Sequence, residues 1–192
     1  MVKKRMAIFA SGTGSNAINL IGHFAEHKAI EIGFVLSNKK DAPVLESAND
    51  LGVEALYFSN SEVSQGEFLI ELCEKHQIDY IVLAGYLRLI PGDFIEAFSE
   101  GIINLHPSLL PNYGGKGMYG RNVHNAVLEN KEKESGITVH FVNQKFDEGR
   151  IIAQFRCPIS STDTVQDLEG KIRSLEQNYL PFVVEKTIMG IV

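Results

Sequence analysis

Ile102-Ile103-Asn104-Leu105-His106-Pro107-Ser108-Leu109-Leu110-Pro111 decides how this chain is read. Ile103 and Leu105 alternate with Asn104 and His106, the period of a strand, so the two polar side chains project from one side. Pro107 removes a backbone donor and restricts His106 to extended geometry, which ends the strand and leaves the imidazole at its carboxyl end. In an open α/β sheet that edge is where ligands bind. These ten residues alone leave two readings open, a buried structural histidine and a chemically active one.

Working outward, strand and helix alternate. The pattern predicts strands over 4–10, 30–36, 53–58 and 80–83, and helices over 15–27, 44–51, 67–76 and 91–98. Ile18, Ile21 and Ala25 are expected on the inner face of the first helix. After the quoted stretch come a short helix over 123–129 with His124 exposed, strands over 136–142 and 151–158, and a terminal helix over 165–189. Leu168, Ile172, Leu175, Tyr179 and Val183 recur there at helical spacing and are expected in the core. Such alternation with short connections predicts a single-domain, Rossmann-like, mostly parallel twisted sheet with helices on both faces and right-handed crossovers. His23, His27 and His76 lie near helix ends without ligand spacing, so surface or capping roles are expected for them.

Three loops fall at the same sheet edge as His106. Ser11-Gly12-Thr13-Gly14-Ser15-Asn16 joins the first strand to the first helix, and free amides at a helix N-terminus favour an anion such as phosphate. The loop also fits a loose dinucleotide pattern, Gly12-x-Gly14-x-x-Ala17, but the second strand ends in Ser37-Asn38-Lys39-Lys40 and the nearest acid, Asp41, comes too late for a ribose contact. A single-phosphate site, a nicotinamide site and a structural turn all remain open, the first being favoured. Ala84-Gly85-Tyr86-Leu87-Arg88-Leu89-Ile90-Pro91 either caps the core or lines a pocket for a flat heterocycle. Residues 112–120 hold four glycines and no periodicity, which suits a lid beside His106. Asp147, in the turn Lys145-Phe146-Asp147-Glu148-Gly149, serves either the turn alone or His106, where a carboxylate would favour the charged imidazole.

Composition sets the outer bounds. A chain of 192 residues, 44% hydrophobic and 22% charged, suits one domain, and no second is expected. The formal charge of −6 argues against a broad nucleic-acid footprint. The basic start Met1-Val2-Lys3-Lys4-Arg5 resembles that of a signal peptide, but the apolar run after it stops at Ser11, and no segment reaches membrane-spanning length. Two distant cysteines, Cys73 and Cys157, fit reduced thiols in a cytoplasmic protein.

Taken together, Ser11-Gly12-Thr13-Gly14-Ser15-Asn16, Leu83-Ala84-Gly85-Tyr86-Leu87-Arg88, Asn104-Leu105-His106-Pro107-Ser108-Leu109-Leu110-Pro111 and Val139-His140-Phe141-Val142 with Asp147-Glu148-Gly149 resemble the phosphoribosylglycinamide formyltransferases, the purine-biosynthesis branch of the folate formyltransferase family. The resemblance covers nearly the whole chain, and the Asn-x-His-Pro-Ser-Leu-Leu-Pro run is shared by the wider family. It implies transfer of a formyl group from 10-formyltetrahydrofolate to the amine of glycinamide ribonucleotide, with no metal, no nucleic acid and no membrane. A homodimer is left open, and the length leaves no room for the extra domains of the tRNA formyltransferases or the formyltetrahydrofolate hydrolases. The alternatives are a nonenzymatic nucleotide-binding module and a formyltransferase or hydrolase with another acceptor.

Carried over residue by residue, the resemblance puts catalysis on Asn104, His106 and Asp147, with Asn104 and a protonated His106 stabilising a tetrahedral intermediate. Substrate binding falls on Gly14, Ser15, Asn16, Glu176 and Arg173, the last standing where some members have glutamine. Folate binding falls on Leu87, Arg88, Leu89, Ile90, Asn104, His140 and Asn143, with 143–147 as its other wall. Two departures stand out. The arginine that the family commonly places near Ser64-Gln65-Gly66 for the folate tail is absent, which leaves Arg88 and Lys116 as substitutes, and the lid is longer and richer in glycine.

Overall fold

The computed structural model describes residues 3–191; the part of the basic start carried by Met1 and Val2 lies outside them. In chain order the elements are β1 (Lys4–Phe9), α1 (Ser15–Phe24), β2 (Ile30–Ser37), α2 (Pro43–Asp50), β3 (Ala55–Tyr57), α3 (Asn60–Val63), α4 (Gly66–Lys75), β4 (Tyr80–Leu83), α5 (Gly92–Ala97), β5 (Ile102–His106), α6 (Arg121–Glu129), β6 (Glu134–Phe141), β7 (Ile151–Pro158) and α7 (Val165–Ile188). They build one seven-stranded sheet in the order β3-β2-β1-β4-β5-β6-β7. The first five strands run parallel, and β6 and β7 are antiparallel additions. The strand order reverses at β1, beside β4, the position where open α/β sheets hold their ligands.

Strand periodicity sorts the core into two layers. Met6, Ile8, Val82, Ala84, Ile103 and Leu105 point to the face covered by α1, α2, α6 and α7. Ala7, Phe9, Ile81, Leu83 and Ile102 point to the other face, beneath α3, α4 and α5. Asn104 and His106 therefore share their side with Ile102, as their spacing from Ile103 and Leu105 requires.

Several helix faces differ from expectation. The inner stripe of α1 is Ala17, Leu20, Ile21 and Phe24, an i, i+3, i+4, i+7 set, while Ile18 and Ala25 are exposed. On α7, Leu168, Ile172 and Val183 are buried and Leu175 half-buried, but Tyr179 is exposed, its ring stacked on Phe155 at 3.9 Å. His124 on α6 is buried rather than exposed, because it shares the inner face with Val123 and Val127. The short helix α3 was not expected. It is built on a capping box in which Ser59 and Glu62 satisfy each other's backbone amides.

Candidate active site

The carboxyl ends of β1, β4 and β5 open into a cavity of about 560 Å³. Its walls come from four places. The turn Gly12 to Asn16 forms one end and Leu83 to Ile90 the other, the Gly115 to Gly120 loop lies across them, and Asn104, His106, His140 and Asp147 sit between.

The turn is held by an α1 N-terminus whose cap, Gly14, adopts φ 76°. A Cβ there would stand 2.1 Å from Val44 Cγ2, so both conformation and space call for glycine. Asn16 is buried and its Nδ2 donates to Glu176 Oε2 at 2.8 Å, while its Oδ1 has no partner among the described residues. Burial pushes the Glu176 carboxyl above its usual range, against the pull of the Asn16 hydrogen bond and Arg173. Arg173 is exposed and outside the cavity wall, and it meets the other substrate residues only through its charge beside Glu176.

At the opposite end Ile90 and Tyr86 are buried, but Leu87 is 49% and Leu89 60% exposed. An open apolar edge of this kind is what a flat heterocycle would cover. The Tyr86 hydroxyl is buried without a partner among the described residues, and burial pushes its pKa up to about 12. Arg88, Lys116, Asn143 and Lys145 also reach the cavity, and Asn143 Oδ1 accepts from the Lys145 amide at 2.9 Å, tightening the opposite wall.

The centre is a connected polar group. His106 Nε2 lies 2.8 Å from the Tyr113 carbonyl, which can only accept, so Nε2 carries a proton. His106 Nδ1 is 3.6 Å from Asp147 Oδ1, and His140 Nε2 is 3.7 Å from the same oxygen. His140 Nδ1 must donate to the Phe141 carbonyl at 2.9 Å, leaving its Nε2 to accept from Asn104 Nδ2 at 3.0 Å. Register explains this last contact, since Asn104 pairs directly with His140 across β5 and β6. Asp147 Oδ2 accepts from the Gly115 amide at 2.8 Å, so the glycine loop is tied to the carboxylate. Tyr113 and Asp147 both have left-handed backbones, at φ 57° and 56°, and both sit at this centre.

Of the two readings left open for Asp147, the contact with His106 is present. Burial pushes the His106 imidazole below its ordinary 6.5, and Asp147 and the Tyr113 carbonyl only partly offset it. Without a ligand burial thus favours the neutral ring over the imidazolium that the resemblance implied. Burial pulls Asp147 upward, yet hydrogen bonding, including that donated by the Gly115 amide, holds the carboxyl below its usual range. The carboxylate stays ionised beside a neutral ring.

Three contributors went unseen in the sequence. Tyr113 and Gly115 act through backbone groups, which residue type does not advertise. His124 is 5% exposed and lines the cavity, its Nδ1 without a partner among the described residues; its spacing from Val127 was the available signal. Burial lowers its pKa, with Glu169 opposing and His106 adding to the shift. Among the described residues no group of His, Cys, Asp and Glu can hold a metal ion, and no helix is long and apolar enough to cross a membrane.

Comparison with known proteins supplies the remaining context. The profile of the formyl transferase family matches residues 4–184. The chain is 33% identical over 193 residues to the phosphoribosylglycinamide formyltransferase of Bacillus subtilis, covering 98% of this chain and 96% of that one. It is 39% identical over 176 residues to the chloroplastic phosphoribosylglycinamide formyltransferase of Arabidopsis thaliana, covering 88% of this chain. The chain spans 60% of the length of that relative and of its Vigna unguiculata counterpart. The crystal structure of glycinamide ribonucleotide transformylase 1 from Symbiobacterium toebii superposes with a TM-score of 0.90 at 33% identity, covering 98% of this chain and 89% of that one.

Proposed function

The chain belongs to the formyl transferase family, and from that premise we propose that it moves the formyl group of 10-formyltetrahydrofolate onto the primary amine of glycinamide ribonucleotide in purine biosynthesis. We take residues 1–192 as one formyltransferase domain working in the cytoplasm. The observation that carries the reading is the placement of Asn104, His106 and Asp147 between a phosphate-type turn and an open apolar edge, within one cavity.

On this reading the turn Gly14, Ser15 and Asn16 holds the ribonucleotide phosphate on free amides, and Glu176 takes a ribose hydroxyl. Leu87, Arg88, Leu89, Ile90, His140 and Asn143 enclose the folate ring, and Arg88, Lys116 and Lys145 are the cavity-lining cations available for its acidic tail.

Attack of the amine on the formyl carbon creates a tetrahedral intermediate with a negative oxygen. Asn104 Nδ2 donates a neutral hydrogen bond to that oxygen. His106 starts neutral, and the growing charge, added to that of Asp147, raises its proton affinity, so the imidazolium forms as the intermediate forms. The proton comes from the attacking nitrogen, which must lose one, and passes to the departing folate nitrogen when the C–N bond breaks. His140, fixed as the Nδ1-protonated tautomer, holds the Asn104 amide in line.

The test is a folate absorbance assay with glycinamide ribonucleotide, methionyl-tRNA and water as rival acceptors. Rapid loss of the formyl group with glycinamide ribonucleotide alone is the expected result. Equal rates with water, or preference for methionyl-tRNA, would reassign the acceptor.

A further inference from the structure

The phosphate-type turn and the apolar edge are joined at Ser11, through both its side chain and its backbone amide. Ser11 ends the β1 connection immediately before the phosphate-type turn and is 2% exposed. Its hydroxyl donates to Asn38 Oδ1 at 2.6 Å and accepts from the Leu87 backbone amide at 2.9 Å. Its own amide donates to the Gly85 carbonyl at 3.1 Å. Asn38, also buried, continues the chain by donating from Nδ2 to Asn60 Oδ1 at 2.8 Å. A serine hydroxyl has one proton to donate, and here both its donor and an acceptor position are used.

Leu87 and Leu89 bring little side-chain packing to their segment, because both are about half exposed or more. Burial of Tyr86 and Ile90 anchors the segment at its ends, and the Leu87 amide is tied at its middle to Ser11. An anion that orders Gly12 to Asn16 therefore also orders, through Ser11, the backbone that would face the donor. Asn38 restrains the hydroxyl from the far side, so the link is stiff and directional.

Resting on the proposed assignment of the two ends, we propose that Ser11, braced by Asn38, is a positioning residue that couples them, so that occupation of the acceptor end strengthens binding at the donor end. By linkage the donor must strengthen acceptor binding by the same factor.

Calorimetric titration of the whole protein with glycinamide ribonucleotide and with tetrahydrofolate, each alone and in the presence of the other, reads this directly. The wild type is expected to bind each ligand at least about fivefold more tightly when the other is present. Ser11→Ala should weaken tetrahydrofolate binding about five- to tenfold, the scale of one lost hydrogen bond, and bring the coupling factor to within about twofold of unity. Asn38→Ala should also lower the coupling, and the double variant should fall short of the sum of the two. Should Ser11→Ala not fold, Asn38→Ala carries the test alone. A merely structural Ser11 would lower the melting temperature while leaving the coupling factor at its wild-type value, and that result overturns the inference, as does a wild type that binds both ligands without coupling. If the wild type binds neither, the functional assignment falls as well, which separates the two failures.

Discussion

His106 and His124 are two buried imidazoles in one cavity, and burial pushes both below 6.5. An unfolded chain protonates these rings near 6.5, whereas the folded chain resists until lower pH. Between those points the unfolded state binds more protons, so stability is complete above about pH 6.5 and falls as pH drops toward the folded values. Asp147 titrates in the acid range and its contribution is lost later. Melting temperatures of the wild type should therefore drop from pH 7.5 to 5.5, and His124→Gln should flatten that slope. Identical slopes would contradict the burial argument. For the charge of His106 the sequence shows one side only: a neighbouring carboxylate is visible from spacing, but the desolvation opposing it depends on walls from β6, the glycine loop and α6. Asn104, His106 and Asp147 were legible because side-chain chemistry marks them, while Tyr113 and Gly115 were not, because a carbonyl and an amide carry no residue label.

At the level of elements, the β6–β7 connection shows how tightly the centre is built. Gly149 closes the turn that carries Asp147, and a Cβ there would fall 1.6 Å from the Phe141 carbonyl oxygen and 3.4 Å from His140 Nδ1. Gly149→Ala must push the turn away from β6, moving Asp147 from both histidines. The expected cost is about 2–4 kcal/mol by denaturant unfolding, with activity lost alongside; wild-type stability would show that the turn is looser than drawn. Most elements could be read in advance because Pro107, the Gly12–Gly14 turn and the β-branched strands mark their ends locally. The inner face of α1 was misread by choosing Ile18 over Ala17 and Leu20. Its direction is set by packing against α2 and α7, where a small alanine fits and the larger isoleucine turns outward.

Across the whole molecule, the site lies where the strand order reverses at β1, and β5 and β6 close it from the other side. The parallel half brings the phosphate-type turn and the apolar edge to the same rim. The antiparallel additions bring His140 and Asp147 back to meet Asn104 and His106. Alternation of strand and helix made the parallel half legible, but nothing local announced that β6 would return antiparallel beside β5. That return is what places Asp147 beside His106.

On the proposed function, that meeting point carries formyl transfer. Its most direct test is a single-turnover reaction of the wild type and His106→Ala with glycinamide ribonucleotide and 10-formyltetrahydrofolate labelled with carbon-13 at the formyl carbon, followed by mass spectrometry of the ribonucleotide. The wild type is expected to place the labelled formyl group on the glycinamide nitrogen. His106→Ala should still bind the ribonucleotide while transferring about a hundred- to a thousandfold more slowly. No label on the ribonucleotide with the wild type, or transfer by His106→Ala at the wild-type rate, would contradict the account.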